Sequence, residues 1–170
     1  DTLRTITGAY AGGLIRINGA DRVSIDGSYN NTGSYLTFDN NTTVSGNSTI
    51  QLISLGNNAG VDKFTIKNCK IIGGTGANTI PIHIGGLAIP YSAGESNQKI
   101  KILNNTIIRG SAGIYVGATT ASPADSLVIS GNTIGGDVLA DYLRLYGVVA
   151  DQTKNSSISN NIVKNIINTA

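Results

Sequence analysis

Residues 99–108, Lys-Ile-Lys-Ile-Leu-Asn-Asn-Thr-Ile-Ile, recur with variation in segments 35–44, 63–72, 126–135 and 155–164. Aligned on the second residue of the Asn pair, the copies give a column of Asn41, Cys69, Asn105, Asn132 and Asn161, with steps of 27 to 36 residues. A second family of short apolar runs precedes them: Val23-Ser-Ile25, Ile53-Ser-Leu55, Ile82-His-Ile84, Ile114-Tyr-Val116 and Val148-Val-Ala150. Two strands in fixed order with a variable connection are the signature of a solenoid, in which each repeat buries its apolar side only against its neighbours.

The copies alternate apolar and polar residues with period two, which is a strand period and not a helical one. Two inward columns follow, Leu36, Phe64, Ile100, Leu127 and Phe38, Ile66, Ile102, Ile129, Ile158, with Thr37, Thr65, Lys101, Val128 and Ser157 facing out. Parallel stacking, about 4.8 Å per coil, places like residues on like. The Asn column is expected to mark a bend where the side chains turn inward and bond along the stack, since a buried amide needs partners. Cys69 fits that column as a small buried thiol. The predicted class is all-β: a parallel-stacked solenoid of about five coils, with partial coils at both ends.

The phrases Val23-Ser-Ile-Asp-Gly27, Thr65-Ile-Lys-Asn-Cys69, Gly113-Ile-Tyr-Val-Gly117, Val128-Ile-Ser-Gly-Asn-Thr-Ile-Gly135 and Tyr146-Gly-Val-Val149 resemble repeats of the pectin-lyase-like superfold, which implies a right-handed parallel β-helix. They are similar to those in large secreted or surface proteins of Bacteroidetes-type bacteria. The resemblance spans residues 12–168. It implies export, neighbouring adhesion modules in the same chain, and a secreted or cell-surface location. One superfold hosts many functions, so it implies no particular activity.

The 170 residues suit one domain, 1–170, expected to be a fragment of a longer exported protein. Charged residues are 13% of the chain and the net charge is +2, so no basic stripe points to nucleic acid. No apolar run is long enough for membrane insertion. Twenty-two Gly and 19 Asn suit tight turns. One Cys excludes an internal disulfide.

The register of residues 1–22 admits two solutions. Strand 14–17 could pair above Ile53-Ser-Leu55, with Val23 to Asp26 as the following strand. The more regular spacing instead puts Val23-Ser-Ile25 above Ile53-Ser-Leu55, and this solution is preferred. Loops are expected at 27–34, 45–49, 56–62, 85–98, 117–125 and 135–145, the last with weak helical spacing. The three longest are consecutive, and solenoid insertions often gather on a binding face.

His83 is the only histidine. With Ile82 and Ile84 inward its ring faces out, in a column of Ser24, Ser54, His83, Tyr115 and Val149. Tyr91, Tyr115 and Tyr142 could offer stacking faces to a sugar ring. His83, Tyr91, Tyr115 and Tyr142 are therefore the candidate glycan-binding residues, against the plainer reading of them as solvated or partly buried side chains. No His/Cys/Asp spacing supplies a metal site, and no cofactor is implied. Asp26 and Asp151 are expected in one column but three coils apart, too far for paired carboxylates, and Lys101 and Arg109 have no acid in register. No catalytic residue is assigned. The expected function is a structural or adhesive segment of a surface protein. The alternatives are a carbohydrate-binding module or, less favoured, a polysaccharide lyase or glycoside hydrolase. A polysaccharide or cell-surface glycan and the chain's own neighbouring domains are the candidate partners.

Overall fold

The computed structural model describes residues 2–168 and shows a parallel β-solenoid of about five turns. Each turn visits three sheets. The first sheet stacks Arg4–Gly8, Leu36–Asn40, Cys69–Ile72, Thr106–Ile108, Thr133–Ile134 and Ile162–Val163. The second stacks Gly13–Asn18, Ser48–Ile53, Ile80–Gly85, Gly110–Gly117 and Leu143–Asp151. The third stacks Ser24–Asp26, Thr65–Lys67, Lys101–Leu103, Val128–Ser130 and Ser157–Ser159. All pairings within these sheets are parallel.

The alternation read from the sequence sets the inside. Ile25, Ile66, Ile102, Ile129 and Ile158 pair in one column. Ile6, Phe38, Ile71, Ile107, Ile134 and Val163 form another, and Ile15, Ile50, Ile82, Ile114 and Val148 a third. From Ile50 to Ile134 these columns are essentially sealed from solvent, and each fully buried aliphatic contributes about 1.5–3 kcal/mol. In the last coil the column members emerge: Ile158 is 49% exposed against 0% for Ile129.

Three sequence expectations are corrected. Leu36 pairs with Cys69 and Phe38 with Ile71, so segment 35–44 belongs to the first sheet and not to the Ile66 column; Ile25 takes that place. Asn41 is consequently exposed and outside the ladder. Its neighbour Asn40 is buried, where Nδ2 donates to the Ser48 carbonyl at 2.9 Å and Oδ1 accepts from the Tyr10 N–H at 3.0 Å, closing the bend toward the second sheet. The rejected register for the early chain is nearer the truth: Ile15 pairs with Ile50 and Ile17 with Leu52. Ile50-Gln-Leu52, not Ile53-Ser-Leu55, lies above Ile82-His-Ile84. Equal spacing was a poor guide here because turn lengths differ, whereas the apolar column tolerates only in-phase pairing.

The Asn pair divides two tasks. Its first position holds a left-handed backbone: φ is 55° at Asn68, 54° at Asn104, 70° at Gly131 and 55° at Asn160. Asn and Gly are the residues that enter this region most cheaply. The second position points inward. Asn105 Oδ1 accepts from the Cys69 N–H at 3.0 Å, and Asn105 Nδ2 donates to the Ile66 carbonyl at 3.0 Å and to Asn132 Oδ1 at 3.1 Å. Asn132 repeats the pattern with the Ile102 carbonyl and Asn161 Oδ1, both at 2.9 Å. Asn161 Nδ2 reaches the Ile129 carbonyl at 2.8 Å. The expected ladder of Asn105, Asn132 and Asn161 is thus present, with Cys69 capping it and its thiol pushed up to about 12 by burial.

A matching left-handed column precedes the third sheet at Arg22, Lys63, Lys99, Ser126 and Asn155. Its neighbours Asp21, Asp62, Gln98 and Asp125 bridge in sequence, and Asp125 pairs with Lys154. The segment of weak helical spacing contains one short 3-10 turn, Leu139–Asp141.

Candidate functional site

The outer face of the second sheet carries the chain's densest aromatic grouping. Arg16, Gln51, His83, Tyr115 and Val149 occupy one register position on successive coils. Arg16 and Gln51 replace the expected Ser24 and Ser54, a direct result of the corrected register. The His83 and Tyr115 rings stack with centroids 5.2 Å apart and planes inclined 21°. Tyr91 meets Tyr115 edge to face, also at 5.2 Å. Glycine makes this possible: a Cβ at Gly117 would overlap the Tyr115 ring, and one at Gly85 would strike the Ser92 carbonyl.

His83 was expected to be open to solvent, but the loop between the second and third sheets folds back over it and leaves it 0% exposed. Tyr115 is 4% exposed, in a small satellite core with Ile80 and Ala112 against which Ile89 of the loop and Val149 pack. Tyr91 closes the patch from above and remains 40% exposed. Neither His83 nitrogen has a hydrogen-bond partner among the described residues, nor does Gln51 Oε1. Burial lowers the His83 pKa to about 4, so the ring is neutral at physiological pH. Burial also raises the Tyr91 and Tyr115 phenols, which stay protonated there. The imidazole is thus neutral, with no hydrogen-bond partner among the described residues to orient it or share its proton.

Tyr142 is not brought to this group. It lines a separate cleft of about 200 Å³ with Arg109 and Arg144. Arg109 is paired with Asp141 at 2.9 Å and lies 4.0 Å from Asp39, correcting the expectation that it lacks an acid. Asp26 and Asp151 lie in different sheets, so they share no column.

Most acids are engaged across coils. Asp26 meets Lys67 at 3.0 Å, Asp62 lies 3.6 Å from both Lys63 and Lys99, and Asp125 lies 3.6 Å from Lys154. Hydrogen bonds from Asn68 and Ser28, with the Lys67 contact, hold the Asp26 carboxyl well below its usual range. No group of three or more His, Cys, Asp or Glu is placed to hold a metal ion among the described residues.

One feature went unread in the sequence. Tyr29 and Tyr35, with Arg4, Asp26 and Leu36, line a cleft of about 430 Å³. Tyr29 lies in loop 27–34, and no strand period marks it; the cleft exists only because 35–40 pairs with the first strand.

In comparisons with known proteins, no family model matches the chain, and neither a curated protein nor a solved structure shows significant similarity to it.

Proposed function

We propose that this chain is a structural segment of an exported bacterial surface protein, a rigid spacer or display scaffold on a right-handed, pectin-lyase-like β-helix. The observation that carries this reading is where the polar groups go. The inward amides form a ladder along the axis, and the acids Asp26, Asp62, Asp125, Asp137 and Asp141 are each tied to a Lys or Arg of a neighbouring coil. Glycan cleavage by paired carboxylates needs two of them converging on one bond, whereas a spacer needs columns that lock each coil to the next. The test is incubation with pectins, alginates and host glycans, together with the complete open reading frame. No released product, and an exported precursor carrying adhesion modules, support the spacer. Released oligosaccharide or a cytosolic single-domain gene overturns it.

A carbohydrate-binding role is the second reading, favoured by the Tyr29–Tyr35 cleft with its Arg4 and Asp26 groups, since aromatic faces beside charged groups suit sugar rings. Loss of retention on a glycan affinity gel in Tyr29→Ala and Tyr35→Ala assigns binding to that cleft. Loss in Tyr91→Ala alone moves it to the second sheet, and a wild-type chain that passes every gel unretarded removes the reading.

A further inference from the structure

The loop over His83 has two unequal halves. Its second half is tied down: the Gly94 N–H donates to the Gly117 carbonyl at 3.0 Å, Ser54 Oγ bonds Glu95 on both its carbonyl, at 2.6 Å, and its N–H, at 3.0 Å, and the Val61 N–H donates to Asn97 Oδ1 at 3.0 Å. Its first half, residues 86–93, reaches the sheet through far less. Gln51 Nε2 donates to the Leu87 carbonyl at 2.8 Å, Ile89 packs on the Ile80–Ala112–Tyr115 core, and Tyr91 packs on Tyr115. The ends of this half cross where Gly85 and Gly94 approach too closely for any side chain. It is a strap hinged at glycines and held by one side-chain hydrogen bond and apolar contact.

Beneath it His83 has no acceptor for a second proton. Gln51 faces it from the preceding coil and Tyr115 from the following one, while Tyr91 sits over Tyr115 from the loop. Arg16 lies one coil beyond Gln51, Asp151 bears on Tyr115 and Tyr146 on Tyr91. No carboxylate is paired with the imidazole among the described residues. A buried cation left unpaired is costly, and it gains water only when the cover leaves. We propose that residues 86–93 are an acid-released lid: His83 takes up a proton from solvent, the strap swings off the second sheet, and the Gln51–His83–Tyr115 row is bared. The low position of the His83 titration agrees with this geometry.

The ratio of proton affinities, from 6.5 in the open state to about 4 in the closed, makes opening about 100-fold more favourable at pH 4 than at pH 7.5. Hydrogen exchange of the intact chain, corrected for intrinsic pH dependence, reads this directly. Residues 86–93 are expected to lose about 100-fold protection while residues 99–108 keep theirs, and His83→Phe is expected to keep the strap protected at both pH values. Unchanged protection of 86–93 in the wild type, or equal loss in His83→Phe, overturns the proposal. His83→Gln, which also cannot titrate, serves where the Phe variant does not fold. An NMR titration of the wild-type ring adds an arm free of variants: titration near 6.5 with the strap still protected overturns the lid, and titration near 4 together with strap opening supports it.

Discussion

The Asn105–Asn132–Asn161 column and the Gln51–His83–Tyr115 column run along the same solenoid with one residue per coil, yet they handle polarity in opposite ways. Within the ladder every amide finds a partner in the neighbouring coil or in bend backbone. On the outer face His83 and Gln51 Oε1 are equally hidden and have none. The ladder comes from the repeat itself, so each coil supplies what the next one needs. The outer row becomes buried only because an inserted loop covers it, and nothing in the repeat provides hydrogen-bond partners there. Satisfied polar columns stiffen a structure, and unsatisfied ones leave it poised to open.

The largest break in this contrast is expected from Asn105→Leu. It leaves the Cys69 N–H unpaired, at about 1–3 kcal/mol for a buried group, and takes the side-chain hydrogen bond from the Ile66 carbonyl. A urea titration should show a lower midpoint with unchanged slope; an unmoved midpoint would mean that the ladder amides contribute little.

The outer column should show its weakness through pH. The folded-state pKa of His83 is depressed, so its contribution is fully present above about 6.5. It is lost as pH falls toward about 4, because the unfolded chain takes up the proton first. If His83 stays covered until global unfolding, the loss is up to roughly 3 kcal/mol. If the strap opens alone, global stability falls by less. His83→Phe should flatten the pH 4–6.5 window in either case, most clearly above about pH 5, where the carboxylates have finished titrating. Urea midpoints across that window, for both chains, provide the check.

Asn104 sharpens the comparison inside the bend. With φ at 54°, Asn104→Ala forces an ordinary L-residue into the left-handed region at about 1–2 kcal/mol. Asn104→Gly should cost only a few tenths, since Gly131 already holds the equivalent position one coil on. Equal costs would show that the Asn104 side chain, not its backbone, matters.

The smallest effect is expected for Cys69→Asn. It adds a rung with the Ile25 carbonyl in the place that Ile66 holds for Asn105, and stability should change by less than about 1 kcal/mol. In the wild type the buried Cys69 thiol, with its pKa pushed up to about 12, should react with a thiol reagent at pH 8 only when its coil opens. Rapid labelling of the native chain would place Cys69 outside the ladder.

What the sequence determined by itself is the coil. Period-two alternation in Ile66, Ile102 and Ile129, and the inward second Asn of each pair, are local patterns that repetition amplifies, and a slip of one residue would turn each apolar side chain to water. The division of the Asn pair into a backbone role and a side-chain role was also latent there, in the replacement of Asn104 by Gly131 but of Asn105 by Cys69 at the adjacent positions. Only the tertiary structure decided the first two coils, where turns of unequal length let two registers satisfy the same alternation, and with them the fate of Asn41 and the Tyr29–Tyr35 cleft. It alone decided the fate of His83. Alternation says which side of a sheet a residue faces, but whether a loop then folds back over that side depends on close glycine approaches and on contacts between residues far apart in the chain.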